Sequence, residues 1–150
     1  MSYKQTALSR QAETIIKNLE KRNMEGYYFE SASACTEAIL SSIPNGSVIG
    51  WGGSESIKEC GLMDGIHKGD YELLDRSLAR TPEEARQIYA KTVLADYYLM
   101  STNAITTDGT LINIDGNGNR VACLIQGPSH IIIVTGMNKV VTGVPEGVAR

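Results

Sequence analysis

The sequence predicts an α/β fold: a Rossmann-like open sheet, mostly parallel, carrying an antiparallel hairpin. Two observations support this. Short runs rich in β-branched and aromatic residues alternate with stretches whose apolar residues recur at helical spacing, the pattern of a parallel sheet covered on both faces. Glycines, fifteen against four prolines, gather in short clusters after several of the predicted strands, where a backbone turns sharply or lies close to a partner.

Leu8, Ala12, Ile15, Ile16, Leu19 and Asn23 share one helical face between charged residues, which predicts an opening helix over about residues 4–24, ending near Asn23 or Gly26. Tyr27-Tyr28-Phe29 reads as a short aromatic strand. Ser33 is placed to cap a second helix bearing Cys35, Ala38, Ile39 and Ile43, and Pro44-Asn45-Gly46 stops it. A strand follows over residues 47–51; after Gly52-Gly53, Ser54 opens a short helix closed by Gly61. Residues 71–74 form the next strand. Thr81-Pro82-Glu83-Glu84 reads as a capping box with proline at the first helical position, and its helix presents Ala85, Ile88, Tyr89 and Val93. Residues 97–101 form a strand with Tyr97 and Tyr98 in or near the core. Residues 110–114 and 121–125 read as two strands across Asp115-Gly116-Asn117-Gly118-Asn119, the predicted hairpin. Residues 131–135 supply a final buried strand.

The 150 residues fit a single domain, residues 1–150, with no repeat, low-complexity run or linker. That length buries a core without disulfides or a structural metal. Seventeen acidic against fourteen basic side chains, net charge −3, give no general attraction to nucleic acid or anionic lipid. No apolar run approaches the ~18 residues of a membrane span, and the polar opening lacks the apolar core of a signal peptide. The expectation is a cytoplasmic protein without nucleic-acid binding or membrane insertion. Cys35, Cys60 and Cys123 lie far apart without a C-x-x-C pair and read as buried or half-buried thiols. His67 and His130 have no ligand-like spacing to them, so no metal site is expected.

Three glycine clusters carry the chemistry. In Gly50-Trp51-Gly52-Gly53-Ser54-Glu55-Ser56, between a strand and a helix, exposed amides and the Ser54 hydroxyl suit an anion cradle, and equally a tight turn that binds nothing. Its match to the dinucleotide fingerprint is partial: Glu55 stands at the third glycine, with Asp75 as the distant acid. A P-loop is excluded, because no Gly-Lys-Ser/Thr follows. The second cluster joins Asn103-Ala104-Ile105-Thr106-Thr107-Asp108-Gly109-Thr110 to Asp115-Gly116-Asn117-Gly118-Asn119-Arg120. It is not a calcium loop, since Arg120 replaces the required glycine and Gln126 the bidentate glutamate. Hairpin chemistry explains its turns, whereas amides and carboxylates crowded beside Arg120 also suit a polar, anionic ligand. The third, Gly136-Met137-Asn138-Lys139, places a lysine after the last strand, at the usual ligand edge of such sheets.

Together these blocks resemble the LUD-domain family, named for lactate utilization. The resemblance lies in Gly50-Trp51-Gly52-Gly53-Ser54 with Gly61-Leu62, in Asn103-Ala104-Ile105-Thr106-Thr107-Asp108-Gly109-Thr110-Leu111, in Asp115-Gly116-Asn117-Gly118-Asn119-Arg120-Val121-Ala122, in Gly127-Pro128, and in Gly136 with Asn138-Lys139-Val140-Val141. It implies a fold like glucosamine-6-phosphate deaminase, ribose-5-phosphate isomerase and the CoA transferases, with ligand at the strand ends. It also implies a part in oxidising L-lactate to pyruvate within a multi-protein system whose iron–sulfur clusters sit on partner subunits, with no cofactor within this chain. Family chains usually continue past the Asn-Lys motif into a further helix or tail, expected to be absent here, which would leave a face for a homodimer.

The candidate site binds a small anionic metabolite. Gly52, Gly53 and Ser54 offer amides; Asn103, Gly109, Asn117, Gly118, Asn119 and Asn138 shape and orient; Arg120 pairs with the anion; Asp108 is the candidate acid/base and Lys139 adds charge. The chain is then a substrate-binding or accessory component of lactate oxidation. The alternatives are a non-catalytic subunit docked on an iron–sulfur partner, a sugar-phosphate or CoA-ester enzyme, and, with least support, an NAD-dependent enzyme.

Overall fold

A computed structural model describes residues 2–53 and 55–150, the Glu55 side chain excepted. In chain order the elements are α1 (Tyr3–Glu20), α2 (Ala32–Ser42), β1 (Val48–Trp51), α3 (Glu55–Glu59), α4 (Leu62–Lys68), β2 (Glu72–Leu74), α5 (Pro82–Val93), β3 (Tyr97–Met100), β4 (Ala104–Thr106), β5 (Leu111–Ile112), α6 (Asn119–Ile125), β6 (His130–Ile133), β7 (Val140–Val141) and α7 (Val144–Ala149), with 3-10 turns at Arg76–Leu78 and Met137–Lys139. The chain divides into two compact units: Thr36–Ser101 with Ile114–Val134, and Met1–Cys35 with Thr102–Asn113 and Thr135–Arg150. No helix among the described residues is long and apolar enough to cross a membrane.

The first unit is α/β and Rossmann-like, as the alternation of patterns predicts. Its four strands are parallel in the order β2-β1-β3-β6. Alternate side chains of a strand face opposite ways, and here that sorts the core into two layers. Ile49, Leu99 and Ile132 pack with Ile43, Ile57, Leu62 and Ile66 from the side of α2, α3 and α4. Tyr98, Met100, Ile131 and Ile133 pack with Tyr89, Val93 and Cys123 from the side of α5 and α6. The strand order reverses between β1 and β3: the chain leaves β1 toward β2 on one side and leaves β3 toward β6 on the other.

The second unit is smaller. Its sheet runs β5-β4-β7, with β5 antiparallel and β7 parallel to β4. The α1 helix lies on the β4–β5 turn, where Asn18 donates to the Thr107 carbonyl at 2.9 Å. Gly109 in that turn has φ +87°, and a Cβ there would stand 3.0 Å from the Asn18 carbonyl carbon, so both the left-handed backbone and the close approach of α1 require glycine.

Several expectations are corrected. The antiparallel hairpin is β4–β5, not a pairing across residues 115–119. Residues 121–125 form α6, because Asp115 accepts the Val121 N–H at 2.7 Å and starts a helical turn that buries Cys123; a short apolar run does not by itself distinguish strand from buried helix. Tyr27-Tyr28-Phe29 is not a strand and pairs with none of the strands of either sheet; Gly26 before it packs against Ile16 and Leu19 of α1. The cap of α2 is Ser31, accepting the Ala34 N–H at 3.2 Å, rather than Ser33. Thr81 caps α5 through the Glu84 N–H, yet Glu84 reaches back to the Arg80 N–H instead of completing the box on Thr81. The opening helix stops at Glu20, with Asn23 at φ 60° beyond it. Helix α4 and strand β7 stand where no element was expected, as does α7, whose packing on β4, β5 and β7 gives it a place in the second unit.

Leu99 is fully buried at the centre of β3. Leu99→Ala is expected to cost about 2–5 kcal/mol in urea unfolding, because the layers on either side close the cavity only in part. Leu94→Ala, at a side chain 86% exposed, is expected to change stability by less than about 0.5 kcal/mol.

Candidate functional site

The chain leaves the carboxyl ends of β1 and β3 toward opposite sides of the sheet, the place where open parallel sheets bind ligands. Here β1 runs out into Gly52-Gly53 and β3 into Ser101. The Gly52 N–H donates to the Leu99 carbonyl at 3.0 Å, which stitches the two strand ends together. Its role is therefore not to offer that amide to an anion. A Cβ at Gly52 would lie 3.0 Å from the Tyr98 hydroxyl and 3.5 Å from Cγ and Cδ of Arg120. A side chain at this position would press on the Tyr98 hydroxyl, and glycine leaves room for these two side chains to close over the backbone.

Arg120 reaches this point from the first turn of α6. Its Nε lies 2.9 Å from Asp115 Oδ1, and the two side chains are only 13% and 10% exposed. The N–H is not aligned along this contact, so the pairing is ionic rather than a hydrogen bond. The other Asp115 oxygen accepts the Val121 N–H. Arg120 Nη1 and Nη2 approach the carbonyls of Ser101 and Ile114, each at 3.4 Å, the long end of hydrogen bonding. Tyr98 completes the group. Burial first, then the neighbouring Cys123 and Asp115, raise its phenol to about 12, against the opposing pull of Arg76 and Arg120. It is thus neutral, and a proton donor, throughout the physiological range.

Of the sequence-predicted residues, the first unit brings together Gly52 and Arg120. Gly53 is exposed beside Gly52, Asn119 is the half-buried first residue of α6, and Asn117 and Gly118 lie exposed on the turn before it. Ser54 lies outside the described residues. Asn103, Asp108, Gly109, Asn138 and Lys139 belong to the second unit. There Asn103 and Asn138 are joined by Arg150, which donates to their backbone carbonyls at 3.4 and 3.1 Å. Asp108 stands at the other end of β4 from Asn103, in the β4–β5 turn. The Thr106 hydroxyl, then Thr110 and the Arg22 guanidinium, hold its exposed carboxyl below the usual aspartate range. That is the opposite of what a general acid at neutral pH needs, and it makes Asp108 an anchor of the turn. Asp75, the acid of the partial dinucleotide fingerprint, is engaged by the N–H and hydroxyl of Ser77 at 2.9 and 2.6 Å.

Tyr98, Asp115 and Ser101 were not assigned to the site from sequence. Tyr98 reads as a core tyrosine because its ring is one; only strand register shows that its hydroxyl ends at Gly52. Asp115 had a visible signal, an acid five residues before Arg120 across a Gly/Asn turn. An open dish of about 430 Å³ lies at the opposite, amino end of the same sheet, lined by Asn45, Asp96, Tyr97, Ser129 and His130 among others. Its polar groups serve the fold: Asp96 accepts the Val48 N–H at 2.8 Å, and His130 stacks on Tyr97 with centroids 4.8 Å apart. Among the described residues no three His, Cys, Asp or Glu side chains gather as a metal ion would require.

A family model described as LUD domain matches residues 12–150. Among curated proteins none matches the chain.

Two titrations check these electrostatics. A phenol raised in the folded state stabilises the fold below its ordinary value of about 10 and loses that contribution as pH rises toward 12. Tyr98→Phe is therefore expected to remove the last component from an ultraviolet tyrosinate titration and to flatten the stability loss over that range. A carboxyl held low acts in the reverse sense. Its contribution is present at neutral pH and disappears as pH falls through the lowered value. Asp108→Asn is expected to lower the melting temperature at neutral pH and to match the parent in strong acid.

Proposed function

Since this chain belongs to the LUD-domain family, associated with lactate utilization proteins, we propose that it is a substrate-binding or accessory component of L-lactate oxidation to pyruvate, holding a small carboxylate at the carboxyl ends of β1 and β3. The observation that carries the reading is the meeting of Gly52, Tyr98 and Arg120 at the reversal of strand order. A guanidinium is permanently charged and matches a carboxylate through two parallel donors. A neutral phenol beside it donates to the oxygen on the adjacent carbon, a carbonyl in pyruvate and a hydroxyl in lactate. Electron transfer falls to iron–sulfur partner subunits, and this chain presents or receives the acid.

The test is calorimetric titration and thermal shift of the full chain with pyruvate and L-lactate. A ligand at one hundred times its Kd stabilises the fold by about 2.7 kcal/mol. The expected result is a shift with one or both acids that Arg120→Ala abolishes. Absence of a response to either acid, or a response untouched by Arg120→Ala, contradicts the reading.

A further inference from the structure

Arg120 brings a cation to the side chains that meet at Gly52, and it does not stand alone. Asp115 lies against its Nε at 2.9 Å, with both side chains nearly buried, so little water screens the pair. Two consequences follow. A guanidinium pairs side-on through Nε and one terminal nitrogen, or end-on through both terminal nitrogens. With Nε buried against Asp115, an incoming anion meets Arg120 end-on, at the terminal nitrogens, in competition with the carbonyls of Ser101 and Ile114. The pair is also formally neutral. Attraction of an anion to it comes from direction rather than net charge, and the further cation acting on Tyr98, Arg76, is exposed and screened by water, so a second negative charge gains little there for the desolvation it costs.

We infer that Asp115 is the positioning and charge-selecting residue of this site: it fixes the approach to Arg120 and makes the site favour singly charged over doubly charged anions. The inference rests on the Arg120 site proposed above. Asn at this position still accepts the Val121 N–H that starts α6, so Asp115→Asn removes the charge while keeping the helix start; Asp115→Glu keeps the charge.

The experiment is calorimetric titration of the full chain with pyruvate and with inorganic phosphate at about pH 8, where phosphate is largely a dianion. The parent is expected to bind pyruvate more tightly than phosphate. Removing a nearby negative charge helps a dianion about twice as much, in free energy, as a monoanion. Asp115→Asn is therefore expected to move the affinity ratio toward phosphate by about tenfold, and Asp115→Glu to leave it near the parent value. A merely structural role would alter both affinities by the same factor. Equal changes, an unchanged ratio, or a parent that prefers phosphate overturn the inference and leave the Arg120 site standing. A parent that binds neither anion overturns the proposed function itself, and this inference with it.

Discussion

The Asp115 carboxylate accepts the Val121 N–H at 2.7 Å through one oxygen and lies 2.9 Å from Arg120 Nε through the other. The first contact satisfies an amide that the start of a helix leaves without a partner, and so determines where α6 begins. The second aims the one arginine of α6 along the carboxyl ends of β1 and β3. Helix start and site geometry are thus one constraint. Without it, residues 119–125 have little reason to wind, since Gly118 offers no side-chain cap. Cys123 and Leu124 would then leave the layer under α5.

The remainder of the site follows from strand parity. Ile49, Leu99 and Ile132 turn toward α2, α3 and α4, so Tyr98 and Met100 must turn toward α5 and α6. Tyr98 is long enough to carry its hydroxyl from that buried layer to Gly52 at the edge. A smaller residue would serve the core and leave the edge without a neutral donor. Burial that raises the phenol and packing that holds its ring are the same contacts seen electrostatically and sterically.

The legible part of this fold was the part governed by local periodicity. Val48–Trp51, Pro82–Val93 and Tyr97–Met100 are long or patterned enough to declare themselves, and their order predicts the parallel sheet. Residues 121–125 do not declare themselves, because five apolar residues suit a buried strand or a buried helix, and the deciding contact comes from an aspartate before the run. Tyr27-Tyr28-Phe29 has strand propensity but pairs with no strand, and propensity in sheets counts only against a neighbour. Arg120 and Gly52 were legible as site residues because glycine and arginine stand out by type. Tyr98 was not, since its function lies in which face of β3 it occupies. Asp108, prominent within its motif, is an anchor: Thr106, Thr110 and Arg22 explain its presence without any substrate.

The central claim is that a small carboxylate sits where Tyr98 and Arg120 close over Gly52. A crystal structure of the full chain grown with pyruvate tests it most directly. The ligand carboxylate is expected within hydrogen-bonding distance of Arg120 Nη1 and Nη2, its carbonyl oxygen at the Tyr98 hydroxyl, and Asp115 still at Arg120 Nε. Pyruvate held elsewhere, for instance in the dish beside Tyr97 and His130, with Arg120 untouched, contradicts it.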